Sequence, residues 1–153
     1  LNYAMSLHNI VDAHKNGYAE NMYLDPASHT YIEETGGANI LFVTKDGKLV
    51  TPKSGSILPS ITRRSLVEVA RDYLHMEVEE RAVNKAELAD FTECGLCGTA
   101  AVISPIGKIV DHGKEIVYGQ DSMGPVLQKL YDTLTGMQMG RIPAPDGWIY
   151  EVK

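Results

Sequence analysis

The segment Tyr31-Ile-Glu-Glu-Thr-Gly-Gly-Ala-Asn-Ile-Leu-Phe-Val43 constrains this chain more than any other. Ile40 to Val43 is a continuous apolar run with β-branched and aromatic members, so Asn39–Thr44 is predicted to be a buried strand. Gly36-Gly37 separates it from a shorter strand over Tyr31–Glu33 and supplies the turn between them. The product is a hairpin with two adjacent carboxylates, Glu33 and Glu34, at its tip. If Ile32 faces a core, alternation turns Glu33 outward and leaves Glu34 at the turn, where it can point toward a cleft.

The flanking pattern extends this into one domain. Tyr3, Leu7, Ile10, Val11 and His14 recur at helical spacing, with Gly17 placed to end that helix. A short strand over Asn21–Asp25 and a turn over Pro26–Thr30 lead into the hairpin. Lys45-Asp-Gly-Lys48 is a tight connection, after which Leu49–Thr51 returns as a strand. Beyond the loop Pro52–Ser60, a helix carries Leu66, Val67, Val69, Ala70, Tyr73 and Leu74 on one face. Strands are expected over His75–Glu79, Cys94–Ser104 (interrupted at Gly98), Lys108–Val110 and Glu115–Tyr118, with a short helix over Asn84–Ala89. A last helix, Gly124 to Thr135, is expected to stop at Gly136. This order lacks the regular alternation of a doubly wound sheet. It predicts a mixed α/β, α+β-like fold: a barrel-like, mostly antiparallel sheet flanked by helices.

At 153 residues the chain is long enough for a single domain with its own core. It has no run of about 18 apolar residues that would span a membrane. Its first residues have neither the basic nor the apolar stretch of a signal peptide, and a cytoplasmic setting is expected. The absence of an initial Met, with helical periodicity beginning almost at once, suggests a chain cut from something longer. The net charge is −6 and Arg63-Arg64 is the only adjacent basic pair, so nucleic acid is not an expected partner. Cys94 and Cys97 form a C-x-x-C, but the five histidines are scattered and no second ligand pair exists. The expected reading is two reduced, partly buried structural thiols and no metal site.

Three signals could carry chemistry. Ser60 is a plausible N-cap, which leaves the Ile61 and Thr62 N–H groups without helical acceptors at the positive end of a helix dipole. Such a terminus binds phosphate, and the Thr62 hydroxyl adds a donor; by itself it is an ordinary capped helix. The Glu33-Glu34 tip is ordinarily a solvated turn, yet a carboxylate aimed at a pyridine nitrogen would keep that ring protonated. Gly98-Thr-Ala-Ala sits where a strand breaks, as in a simple bulge or where a ligand approaches the backbone.

Taken in order, Asn2-Tyr3-Ala4, Glu34-Thr-Gly-Gly-Ala-Asn39, Ile57-Leu-Pro-Ser-Ile-Thr-Arg63 and Gly98-Thr-Ala-Ala-Val-Ile-Ser-Pro105 resemble consecutive segments of the branched-chain amino-acid aminotransferases, fold type IV enzymes that use pyridoxal 5′-phosphate (PLP). The stretch from Gly124-Pro125 to Trp148 is similar to the family's closing helix and tail. The resemblance covers the large C-terminal domain. It implies that Tyr3 bonds the phenolic oxygen of PLP and that Glu34 pairs with the pyridine nitrogen. Leu58 would pack on the ring, and Ile61, Thr62 and Thr99 would bind the phosphate. Gly37 and the N–H groups of Thr99 and Ala100 would face the substrate. The Schiff-base lysine lies shortly before the residue matching Tyr3, hence upstream of this chain, together with the small N-terminal domain. Two departures stand out: Leu1 replaces a common Gly, and Ala101 and Ser104 occupy the positions of a C-x-x-C that some members carry.

The resemblance therefore implies a parent enzyme that exchanges the amino group between branched-chain L-amino acids and 2-oxoglutarate, at least dimeric. This chain alone would be inactive. A D-amino-acid aminotransferase, an aminodeoxychorismate lyase and a non-catalytic binding module remain open alternatives.

Overall fold

The structure, a computed structural model, describes residues 6–119 and 122–152. Helix α1 (Leu7–Lys15) is followed by strands β1 (Met22–Leu24), β2 (Tyr31–Thr35), β3 (Asn39–Thr44) and β4 (Leu49–Pro52). Helix α2 (Ile61–Glu68) continues into a π-helical turn, Val69–Tyr73. Next come β5 (Val78–Arg81), β6 (Val83–Asn84), a 3₁₀ turn over Lys85–Asp90, β7 (Phe91–Gly98), β8 (Val102–Pro105), β9 (Lys108–Asp111), β10 (Lys114–Val117) and helix α3 (Pro125–Gln138). The fold is mixed α/β, with mostly antiparallel strands flanked by helices, as the element order implies.

The main sheet has the order β5-β4-β3-β7-β8, and only the β4–β5 pair is parallel. A second sheet joins β1-β2-β6, and β9–β10 form a separate hairpin. Strand β3 lies at the centre because its apolar run can be buried on both faces. Ile40 and Phe42 enter one core with Val50, Val83, Leu88 and Cys94. Leu41 and Val43 enter the other with Leu49, Leu66, Cys97, Leu127 and Leu130, under helices α2 and α3. The Phe42 and Phe91 rings stack with centroids 4.5 Å apart, a contact worth on the order of 1 kcal/mol beyond its buried area.

The same alternation decides what the C-x-x-C can do. Residues three apart on a strand face opposite sides, so Cys94 lies in one core and Cys97 in the other. Both are free, buried thiols, and the pair can form neither a disulfide nor half of a metal site.

Several boundaries differ from the sequence reading. Strand β2 runs on to Thr35. His75 is not in a strand; at φ +53° it ends the second helix in the left-handed conformation, and β5 starts only at Val78. The stretch Cys94–Ser104 is not one interrupted strand but the hairpin β7–β8, with Gly98 opposite Val102. Gly136 does not stop α3. It allows the Ile142 side chain onto the helix, since a Cβ there would lie 2.7 Å from Ile142 Cδ1. The left-handed residue after α3 is Gly140, at φ +69°. Gly17, at φ +82°, does end α1 as expected.

Helix α3 begins with Pro125 at its first turn and has no cap from Gly124. Its cap comes from β7. Glu93, 7 % exposed, accepts from Val126 N (3.0 Å) and Leu127 N (2.9 Å), which places a carboxylate at the positive end of the helix. Glu93→Ala is expected to destabilise the fold by about 1–3 kcal/mol, read as a lower urea midpoint; an unchanged midpoint would show that the cap contributes nothing.

Candidate functional site

The expected hairpin of β2 with β3 does not form: β2 pairs with β1 and β6, and β3 with β4 and β7, so the Gly36-Gly37 turn connects two sheets. The two carboxylates lie within β2, at a β-bulge. Met22 pairs with Thr35 and Leu24 with Ile32, so Tyr23 alone opposes both Glu33 and Glu34. Two residues against one bend the strand and redirect its side chains. This lets Ile32 and Thr35, three positions apart, both be buried. It also separates the carboxylates: Glu33 accepts from Ser54 Oγ (3.3 Å), whereas Glu34 turns to the opposite partners, Asn39 and Leu58.

Glu34 is half-buried. Asn39 Nδ2 donates to Glu34 Oε2 at 2.8 Å, and the Leu58 N–H lies 3.3–3.4 Å from both carboxylate oxygens. Burial pushes the Glu34 carboxyl above its ordinary range; the Leu58 N–H and the Asn39 amide pull it back in part. The turn beside it is closed by Thr35, whose Oγ1 donates to Ala38 O (2.9 Å) and accepts from Ala38 N (3.2 Å). A Cβ at Gly36 would lie 2.8 Å from Glu20 Oε1, so any side chain there would have to displace the Glu20 carboxylate.

Helix α2 brings its N-terminus to the same place. Ser60 is extended, at φ −98° and ψ 129°, and its Oγ accepts from Arg63 N at 3.1 Å. The cap thus uses the third helical N–H and leaves those of Ile61 and Thr62 without helical acceptors. Ile61 and Leu58 are 71 % and 63 % exposed, unusual for apolar side chains that flank a capped helix. Across the sheet, Gly98 ends β7, and Val102 adopts φ +60° after the Thr99-Ala100-Ala101 turn. A β-branched residue in that region is strained, a feature that gathers at ligand-binding loops.

These pieces line one cavity of about 400 Å³. Of the residues singled out from the sequence, Glu34, Gly37, Leu58, Ile61 and Thr99 line it. Thr62 and Ala100 adjoin lining residues without lining it themselves, and Tyr3 lies outside the described residues. Tyr23 and Asn39 line the cavity but carried no role in the sequence reading. Tyr23 could have been found only from the bulge. Asn39 was a visible signal, a polar residue opening an otherwise apolar strand. Among the described residues the Tyr23 hydroxyl and Asn39 Oδ1 are both buried without a partner. A second cavity, about 540 Å³, lies below β8–β9 and is lined mainly by apolar residues such as Met22, Leu24, Ile106 and Ile109. Among the described residues no cluster of potential metal ligands occurs, and no helix is long and apolar enough to cross a membrane.

The sequence and fold that build this cavity match a known class of protein. The family model for class IV amino-transferases matches residues 1–109, and the chain belongs to that family. It is 52 % identical over 137 residues to the branched-chain-amino-acid aminotransferase of Haemophilus influenzae, an alignment covering 89 % of this chain and 40 % of that protein. The solved branched-chain amino acid aminotransferase of Escherichia coli superposes with a TM-score of 0.81 at 33 % identity, over 94 % of this chain and 45 % of that one. The enzyme of Thermobaculum terrenum, solved in its PLP form, gives a TM-score of 0.75 at 38 % identity, over 87 % and 41 % of the two chains. The chain spans 40–44 % of the length of the first curated relatives it matches.

Two outcomes test the electrostatics. Burial pushes the Cys97 thiol up to about 12 and that of Cys94 well above its usual value, so neither is a thiolate near neutral pH. A thiol reagent should label neither in the folded protein and both after unfolding; rapid native labelling would contradict this. Ionising Glu34 costs more in the fold than in the unfolded chain, so the stability it contributes is present at acid pH and lost as pH rises through its raised value. Glu34→Gln, which cannot ionise, should therefore have a higher urea midpoint than wild type near neutral pH, with the gap closing below about pH 4. A gap independent of pH would contradict it.

Proposed function

We propose that this chain is the cofactor-binding C-terminal domain of a branched-chain-amino-acid aminotransferase, one domain over residues 1–153, with the small N-terminal domain and the Schiff-base lysine contributed by preceding sequence. In this reading the parent enzyme exchanges the amino group between leucine, isoleucine or valine and 2-oxoglutarate. It acts as a homodimer in the cytoplasm, a reducing compartment that suits two free thiols. The chain alone is inactive. The observation that carries the reading is the joint placement of Glu34 and the open N-terminus of α2 on one cavity.

The residues present fit PLP. The two orphaned polar atoms of Tyr23 and Asn39 are what a site for a polar ligand leaves unsatisfied. Glu34 would accept from the pyridine nitrogen and keep it protonated. Leu58 would cover the ring with its exposed apolar side chain. The Ile61 and Thr62 N–H groups, the Thr62 hydroxyl and Thr99 would hold the phosphate against the helix dipole. Thr99 and Ala100 would offer N–H groups to a substrate carboxylate, with Gly37 leaving room beside it and Tyr3 binding the phenolic oxygen. Bound there, PLP would supply the electron sink that lets a substrate α-proton leave.

The complete reading frame tests this. A protein that continues upstream through a lysine shortly before Tyr3 should, given PLP, absorb near ~410–430 nm and transfer the leucine amino group to 2-oxoglutarate. A complete protein with neither band nor transfer overturns the proposal. In the same protein, Thr62→Ala should weaken PLP binding about tenfold, the loss of one charge-assisted hydrogen bond, measured by fluorescence titration.

A further inference from the structure

We propose that Asn39 is a positioning residue, which holds the Glu34 carboxylate ionised and aimed into the cavity. The inference deepens the cofactor reading above and rests on it. Asn39 opens β3, is 4 % exposed and pairs in register with Cys97. Its backbone is fixed in the central strand, and its side chain lines the cavity. Its Nδ2 donates to Glu34 Oε2 at 2.8 Å, the shortest contact Glu34 makes among the described residues, against 3.3–3.4 Å for the Leu58 N–H.

A carboxylate opposite a pyridine nitrogen must be ionised and must present one oxygen in a fixed direction. Burial works against the first requirement. The charged and titratable groups around Glu34 help little. Glu33 on the same strand repels its charge, and the Arg63 guanidinium of α2 attracts it weakly while bonded to Glu80 Oε1 at 3.3 Å. Tyr23 of β1 and Cys97 of β7 also line the cavity, and burial keeps the Cys97 thiol protonated near neutral pH. Among the described residues the donors that favour the ionised form are thus the Leu58 N–H and, at the shorter distance, the Asn39 amide. The Asn39 bond engages Oε2, leaves Oε1 with only the long Leu58 contact at 3.4 Å, and fixes the plane of the carboxylate. Among the described residues Asn39 Oδ1 stays buried without a partner. A buried amide with an unused acceptor costs free energy unless a ligand meets it, which ties Asn39 to the cavity rather than to the strand ladder alone.

The test uses Asn39→Leu, branched at Cγ like Asn but larger and without a donor, with Asn39→Ala as the second variant should the first not fold. Two readings are taken on the chain. The Glu34 side-chain carboxyl is titrated by ¹³C NMR, and the affinity for pyridoxamine 5′-phosphate, which has no aldehyde to react with lysines, is measured by titration. The proposal expects the Glu34 midpoint to rise by about one pH unit and the affinity to fall about tenfold. In a Glu34→Gln background the same Asn39 substitution should have little further effect on affinity, because the two residues act as one unit. A purely structural role for Asn39 would give equal losses in both backgrounds and overturns the proposal. So does an unmoved Glu34 midpoint, while a loss of affinity in Glu34→Gln alone would leave the cofactor reading standing. A raised midpoint with unchanged affinity in both Asn39→Leu and Glu34→Gln supports the positioning and overturns the cofactor reading instead.

Discussion

Everything in this fold depends on the antiparallel pairing of β3 with β7, from Asn39 opposite Cys97 to Thr44 opposite Phe91. That register sends Ile40 and Phe42 to one core and Leu41 and Val43 to the other. A slip by one residue would exchange every side chain between the faces. The same ladder sets what stands at its open end. Asn39 and Cys97 share a face there and Gly98 follows, next to the N-terminus of α2. The cavity is thus the unfilled end of the helix-covered core, and its depth is fixed by strands rather than by loops.

On that frame, function is added by local exceptions to regular structure. A bulge puts Glu33 and Glu34 opposite a single Tyr23 and splits their directions. A cap that uses only the third N–H of α2 leaves two donors open. A hairpin turn with Val102 at positive φ closes the other side. Each exception costs stability in place, and each lies on or beside the same cavity. Glu34 is the clearest case, since burial raises its carboxyl although the proposed role needs it charged; an approaching pyridinium would favour the ionised form further.

Much of this was legible in the sequence for identifiable reasons. The apolar run of β3, the Ser60 cap and the Gly17 stop are local signals, and all three appear where local physics puts them. The resemblance gathered residues from three distant segments that periodicity could not bring together, and five of them line one cavity. What was not legible depends on contacts remote in sequence. Gly136 looked like a helix stop because its packing partner Ile142 is a tertiary fact. Glu93 capping α3 from 33 residues away had no local signature. The bulge, and with it Tyr23, follows from pairing with β1. Asn39 was visible as a polar residue opening an apolar strand, but its bond to Glu34, five residues away across the turn, was not. Gly98 marked a break correctly, but whether a break is a bulge or a hairpin is decided by the partner strand.

The central claim is that the cavity bounded by Glu34, Leu58, Ile61 and Thr99 receives a phosphorylated pyridine. The most direct measurement is an amide-resolved NMR titration of this chain with pyridoxamine 5′-phosphate. The account predicts that the resonances of Glu34, Leu58, Ile61, Thr62 and Thr99 move together along one binding curve. Shifts confined to the larger apolar cavity, at Met22, Leu24, Ile106 and Ile109, with the Glu34 and Ile61 resonances unmoved, would contradict it.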